Sequence, residues 1–218
     1  MKFARSSVLL ALLFTVAHAE DKVPLKLDLP KPLFAGTPRP VQLPNLEPVT
    51  IGKRPDFLVP AGTVLLSKGK PVTSSDSLPV IGELAFITDG DKSGVDGNYV
   101  ELGPGSQWVQ IDLGAPAKLA ALAVWHFHAQ TCVYHAVVVQ VSDDPTFKKD
   151  VVTLFNNDAE NQAKLGKSTD RGYIESYQGK IIDGKGATAR YVRLYSSGNT
   201  TDEMNHYCEV EVYGQPAK

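Results

Sequence analysis

The sequence predicts an all-β protein: an antiparallel sandwich of about eight strands, entered through an extended Pro-rich arm. Three observations carry this expectation. After residue 60, short runs that alternate with period two, or are apolar throughout, are separated by turn residues. A convincing amphipathic helix is missing. Nine of the fifteen prolines (24, 30, 32, 38, 40, 44, 48, 55 and 60) fall between residues 20 and 60, a density that removes backbone donors and blocks both helix and central strand.

The chain opens with Lys2 and Arg5, then an apolar run from Val8 to Ala17 interrupted by Thr15, then Ala17-His18-Ala19. A basic start, an apolar stretch too short to span a bilayer, and small residues before a cleavage point read as a secretory signal over residues 1–19. Its removal takes two of the 22 basic side chains, leaving 20 against 24 acidic ones. This mildly acidic balance gives no support to nucleic acid or an anionic membrane as partner, since both need clustered Lys and Arg. No later run is apolar enough for a transmembrane segment. The expected location is secreted, periplasmic or at the cell surface.

Residues 20–60 form the arm. It is either a stalk or an extended segment lying on the folded domain, and Leu25, Leu27, Leu29, Leu33, Phe34, Leu43, Leu46 and Phe57 favour contact over solvation. Residues 61–216 form the sandwich. Trp108–Leu113 puts Val109, Ile111 and Leu113 on one face. Leu119–Phe127 is apolar on both faces, as a central strand is. Ala136–Ser142 aligns Val137, Val139 and Val141. Tyr191–Tyr195 turns Val192 and Leu194 inward, and Cys208–Tyr213 turns Val210 and Val212 inward with Glu209 and Glu211 outward. Turns are expected at Gly114-Ala115-Pro116, Asp143-Asp144-Pro145 and Asp183–Gly186. About 155 residues suffice for one sizeable core.

Five segments in order resemble the discoidin domain family, also called coagulation factor 5/8 type C or galactose-binding-like. They are Leu66–Asp76 (LSKGKPVTSSD), Phe86–Gly94 (FITDGDKSG), Trp108–Gly114 (WVQIDLG), Val137–Phe147 (VVVQVSDDPTF), and the closing pair Ala189–Gly198 with Cys208–Gly214. The resemblance covers residues 62–215. It implies an eight-stranded jelly roll binding ligands through loops at one end, and it does not select the ligand.

The acidic loop Thr88–Gly94 contains Asp89, Asp91 and Ser93. Two carboxylates two residues apart, with Gly90 and Gly94 letting the backbone curl, suit a calcium ion; the alternative is a plain Asx turn. The resemblance implies a structural calcium and a further ligand at the start of the last strand, here Glu209. His126 and His128 are spaced for one face of a strand, and with a third His they could ligate zinc or copper; His126 reads better as a core residue and His128 as a loop residue near the ligand. Cys132 and Cys208 are expected to pair, as two cysteines in an exported domain do by default, although the family's usual disulfide ties the two ends of the domain and this pair does not.

The long polar stretch 156–179 and the loop 198–207 hold sugar-binding ingredients: aromatic faces for stacking and Arg, Asn and His for hydroxyls. The expected ligand residues are His128, Tyr134, Arg171, Tyr173, Asn199, Asn205 and His206. No nucleophile elbow, phosphate loop, HExxH or dinucleotide fingerprint occurs. The leading expectation is a non-catalytic glycan or cell-surface polysaccharide binding module with calcium. A protein–protein adhesion or envelope-assembly module using the arm stands second, and a metalloenzyme built on the histidines third.

Overall fold

The computed structural model describes residues 21–33, 41–49, 52–167 and 170–217. The expected signal segment lies outside the described residues, as does Phe34 of the arm. The strands are β1 Lys22–Pro24, β2 Leu58–Pro60, β3 Val64–Leu65, β4 Val72–Ser74, β5 Val100–Leu102, β6 Gln107–Trp125, β7 Val138–Ser142, β8 Val152–Asn156, β9 Lys180–Asp183, β10 Thr188–Ser196, β11 Asn205–Tyr207 and β12 Glu209–Pro216. Eight of them form one hydrogen-bonded antiparallel system in the order β3-β12-β6-β10-β7-β8, with β4 and β9 also on β6. Helix among the described residues is confined to the 3-10 turn Leu84–Thr88.

β6 organises the sandwich because it belongs to both layers. Its first half pairs with β10 and β4, setting Ile111 against Val192 and Val72. Its second half pairs with β12 and β9, setting Leu122 against Val212 and Ile182. The turn expected at residues 114–116 is instead a corner inside this one strand. Asp112 faces Tyr191 and Ala117 faces Ala189, so residues 113–116 oppose Arg190 alone. Such a bulge bends a strand without ending it. Gly114 takes φ +87° there, its amide donates to Asp112 Oδ1, and Arg190 clamps the same carboxylate through Nε and Nη2 at 2.7 and 2.8 Å.

The inward faces are those the alternation predicts. Val109, Ile111, Leu119, Leu122, Val124, Val139, Val141, Val192, Leu194, Val210 and Val212 share one buried cluster. The second apolar face of Leu119–Trp125 has a separate cover. Ala121, Ala123 and Trp125 pack with Val59, Leu25, Leu27 and Phe57 from the arm. The arm reaches them through the β1–β2 ladder, which pairs Val23 with Val59, and a Leu25 N–H to Phe57 O bond. Further along, Leu46 forms a parallel bridge with Gly172, and Glu47 pairs with Lys180.

This cover corrects one expectation. Glu209 and Glu211 do not face solvent; both are buried. Glu211 takes the Lys92 ammonium at 2.5 Å and the Tyr213 hydroxyl at 2.7 Å, so its charge is balanced away from water. A second correction concerns the loop 198–207, whose end is strand β11 on β5; the polar residues Asn205 and His206 hid it. The stretch 156–179 does run as a connection, from the end of β8 to the start of β9.

Candidate functional site

Beneath the loops that follow β6 lies a buried polar layer. His126 is fully buried, and its Nδ1–H donates to Glu175 Oε1 at 2.7 Å. Its ring stacks on Tyr134 at 4.4 Å between centroids. The Tyr134 hydroxyl donates to His206 Nδ1 at 2.7 Å, and His206 Nε2–H donates to Glu101 Oε2 at 3.0 Å. His128 donates through Nε2 to the Lys92 carbonyl at 2.9 Å. Burial pushes the Tyr134 and Tyr173 hydroxyls well above the usual tyrosine value, so both remain protonated donors.

Beside this layer opens a groove of about 550 Å³, whose lining the layer reaches through His128 and Glu175. Loop residues His128, Gln130, Tyr173, Glu175 and Tyr177 form one side, and arm residues Pro48, Arg54 and Phe57 form the other. Three lining residues keep a buried polar atom without a protein partner: His128 Nδ1, Tyr173 Oη and Glu175 Oε2. Buried polar atoms are nearly always paired; these three lie beneath the groove surface, and the Glu175 side chain is fully buried. The groove rim is held by Trp125 Nε1–H donating to Tyr177 O at 2.9 Å. Gly179, at φ +62°, lies flat on the same indole; a Cβ there would stand 2.5 Å from the ring.

The acidic loop is a tight Asx structure. Asp89 Oδ1 accepts from the Asp91 amide at 2.7 Å, and Asp91 Oδ1 accepts from the Ser93 amide at 2.8 Å. Glu209, opening β12, reaches the loop and accepts from the Gly90 amide at 3.1 Å. Its other oxygen, Oε1, and the Ser93 hydroxyl are buried without a partner. Burial pushes the Glu209 carboxyl up to about 8, with nearby Glu211 and Asp89 adding to the effect. Among the described residues, no group of three or more His, Cys, Asp or Glu converges as a metal cluster. Glu209 thus meets the loop at Gly90, but Asp89 spends an oxygen on the turn and Asp91 both of its own, one on the Ser93 amide and one on the Asn98 side chain.

The remaining expected site residues divide sharply. His128 and Tyr173 line the groove. Tyr134 and His206 are tied to each other in the layer below. Asn205 is fully buried and all its bonds are internal: it donates to Gly103 O and Gly105 O and accepts from Ser196 and the Gly198 amide. Asn199 caps its own loop through Asp202 and Met204. Arg171 is exposed, away from the groove lining. The expected disulfide is absent. Cys132 and Cys208 are separate buried thiols, one directed at Phe127 O and the other at His126 O. Burial raises both far above the usual thiol value, with Glu175 adding to the effect, so neither is a reactive thiolate. His126 and His128 take different partners rather than converging on a metal. Tyr177, one of the aromatic faces of the polar stretch 156–179, lines the groove as well; Gln130 and Arg54 went unread as site residues, and the polar, aromatic run GYIESYQG (172–179) was the one available signal.

No family model matches the chain, and no curated protein matches it. Solved structures do. A family 89 glycoside hydrolase of Clostridium perfringens, in complex with GlcNAc-α-1,4-galactose, aligns over 71% of this chain at 17% identity and a TM-score of 0.53; the chain spans 15% of that enzyme. A chitosan-binding module of a Paenibacillus sp. IK-5 chitosanase/glucanase aligns over 69% of this chain and 99% of the module, at 21% identity and a TM-score of 0.47. A Streptococcus pneumoniae fucose-binding module aligns over 69% and 97%, at 17% identity and 0.47. At such identities likeness speaks to fold alone, and the antiparallel β-sandwich observed is the fold class expected from the sequence.

Proposed function

We propose that this chain is an exported, non-catalytic glycan-binding module whose ligand enters the groove between the loops and the arm. The observation that carries the reading is the groove of about 550 Å³ between loops and arm, lined by Gln130, Tyr177 and Arg54. A sugar suits such a mixed aromatic and polar lining. Its hydroxyls both donate and accept, and its ring C–H face suits an aromatic wall such as Tyr177. The glycans named with similar folds supply the test panel: GlcNAc-α-1,4-galactose, chitosan oligosaccharides and fucose. Retention of the folded protein by at least one, lost on Tyr177→Ala, is expected; no binding to any of them by folded protein refutes the reading.

We also propose a structural calcium at the acidic loop. Glu209, which bonds the Gly90 amide, keeps Oε1 without a partner, and so does the Ser93 hydroxyl of the same loop; loop carbonyls commonly complete such a set. When bound, the ion would supply the positive charge that a buried carboxylate otherwise lacks, stapling the loop to β12. The adhesion reading, with the arm as contact element, is less well supported: Leu25, Leu27 and Phe57 are already engaged with the arm's own domain.

A further inference from the structure

Resting on the glycan reading of the groove, we propose that the arm is a working wall of the saccharide site, held in place by Arg54, and that arm docking and saccharide binding are coupled. The domain alone supplies one side of the concavity; Pro48, Arg54 and Phe57 supply the other. The arm is secured at both ends of this stretch, by the β1–β2 ladder with its packing on Trp125 and by the Leu46–Gly172 bridge. Between them, a small polar clasp holds it. Arg54 Nη1 donates to Gly179 O at 2.6 Å and Nη2 to Gln178 O at 2.9 Å, while Gln178 Nε2 answers with a bond to Gly52 O at 2.9 Å.

A guanidinium offers five N–H donors. Two are spent on these carbonyls, and among the described residues no carboxylate balances the charge. Half-burial of the cation lowers its pKa, so this position is costly for a residue whose task is only to pin a loop. At the groove edge its remaining donors can bond saccharide oxygens, with Tyr177 on the domain side of the same groove. The site then takes a sugar unit with hydroxyls toward Arg54 and its ring face toward Tyr177. Because the ligand touches both walls, linkage is reciprocal: whatever releases the arm weakens binding, and ligand holds the arm down.

The experiment uses the full chain and the three panel saccharides, each titrated alone. Lys53, beside the clasp and largely exposed, provides a tryptic site that reports arm release. Arg54→Ala is expected to weaken binding of the retained saccharide at least tenfold and to speed cleavage after Lys53, and saturating saccharide is expected to slow that cleavage in the wild type. Arg54→Lys, which keeps charge but loses the two-carbonyl fork, is expected to fall between, and it carries the test should Arg54→Ala not fold. If the variants bind within twofold of wild type, or saccharide leaves cleavage unchanged, the arm is not part of the site, although the glycan reading stands. If wild type binds no panel saccharide, the glycan reading fails and the coupling with it.

Discussion

The two faces of β6 beyond its corner are equally apolar and differently built. Leu119, Leu122 and Val124 meet the opposite layer across a core made by long-range strand pairing. Ala121, Ala123 and Trp125 meet a Pro-rich arm that forms one three-residue ladder and a few scattered bonds. The small side chains on the outer face let an extended chain lie close, while the branched ones inside fill a jelly-roll interior. Apolarity on both sides of a strand therefore need not signal two sandwich cores. Here one side is a permanent interior and the other is a cover, and the candidate groove opens at the edge of the cover.

The contrast can be broken most forcefully from inside. Leu122→Ala removes a fully buried side chain between β12 and β9 and should cost about 3 kcal/mol, read from the midpoint of denaturant unfolding. A loss below about 1 kcal/mol would mean that the inner face repacks as freely as the outer one. The acidic loop extends the outer cover across β12, and calcium there should add about 2.7 kcal/mol at a free concentration near 100 times its Kd. Glu209→Gln should abolish that gain, and a wild-type melting curve indifferent to chelator rejects the site.

Phe57→Ala thins the arm's hold on Trp125. With the ring only half-buried, the expected cost is about 1–2 kcal/mol, with faster proteolysis of the arm but an intact sandwich; equal protection of arm and sandwich in hydrogen exchange would erase the distinction. The smallest effect belongs to the corner of β6. The Arg190 bonds hold the Asp112 carboxyl below its usual value despite some desolvation. A depressed folded-state pKa stabilises above the unfolded value and is lost as pH falls through the folded one. Asp112→Asn should therefore cost under about 1 kcal/mol at neutral pH, as partly exposed pairs do, and the gap from wild type should close in strong acid.

The inner face was legible because period-two alternation is written directly into Val109-Ile111-Leu113 and Val210-Val212. The outer face was half legible. The apolar residues of the arm announced contact, but nothing local names the strand they cover. Glu209 and Glu211 were misplaced outside because alternation assigns faces without saying what covers the second one. The site was least legible. Asn205 and His206 have the chemistry of ligand residues yet serve β11 and the polar layer, since the same hydrogen-bonding capacity serves loop architecture and recognition equally. Gln178 and Arg54 gain meaning only where segments 124 residues apart meet at the groove.

Trp125 has an optical consequence. Its indole is fully buried, donates to the Tyr177 carbonyl, lies under Gly179 and packs against the arm. The protein's other tryptophan, Trp108, sits near the far end of β6 beneath the Arg193 guanidinium, 4.3 Å from the ring. With Trp108→Phe, the emission of the whole molecule would come from one fluorophore touching both the groove rim and its cover. The fold thus carries its own gauge of the groove, readable by wavelength and quenching without an attached label.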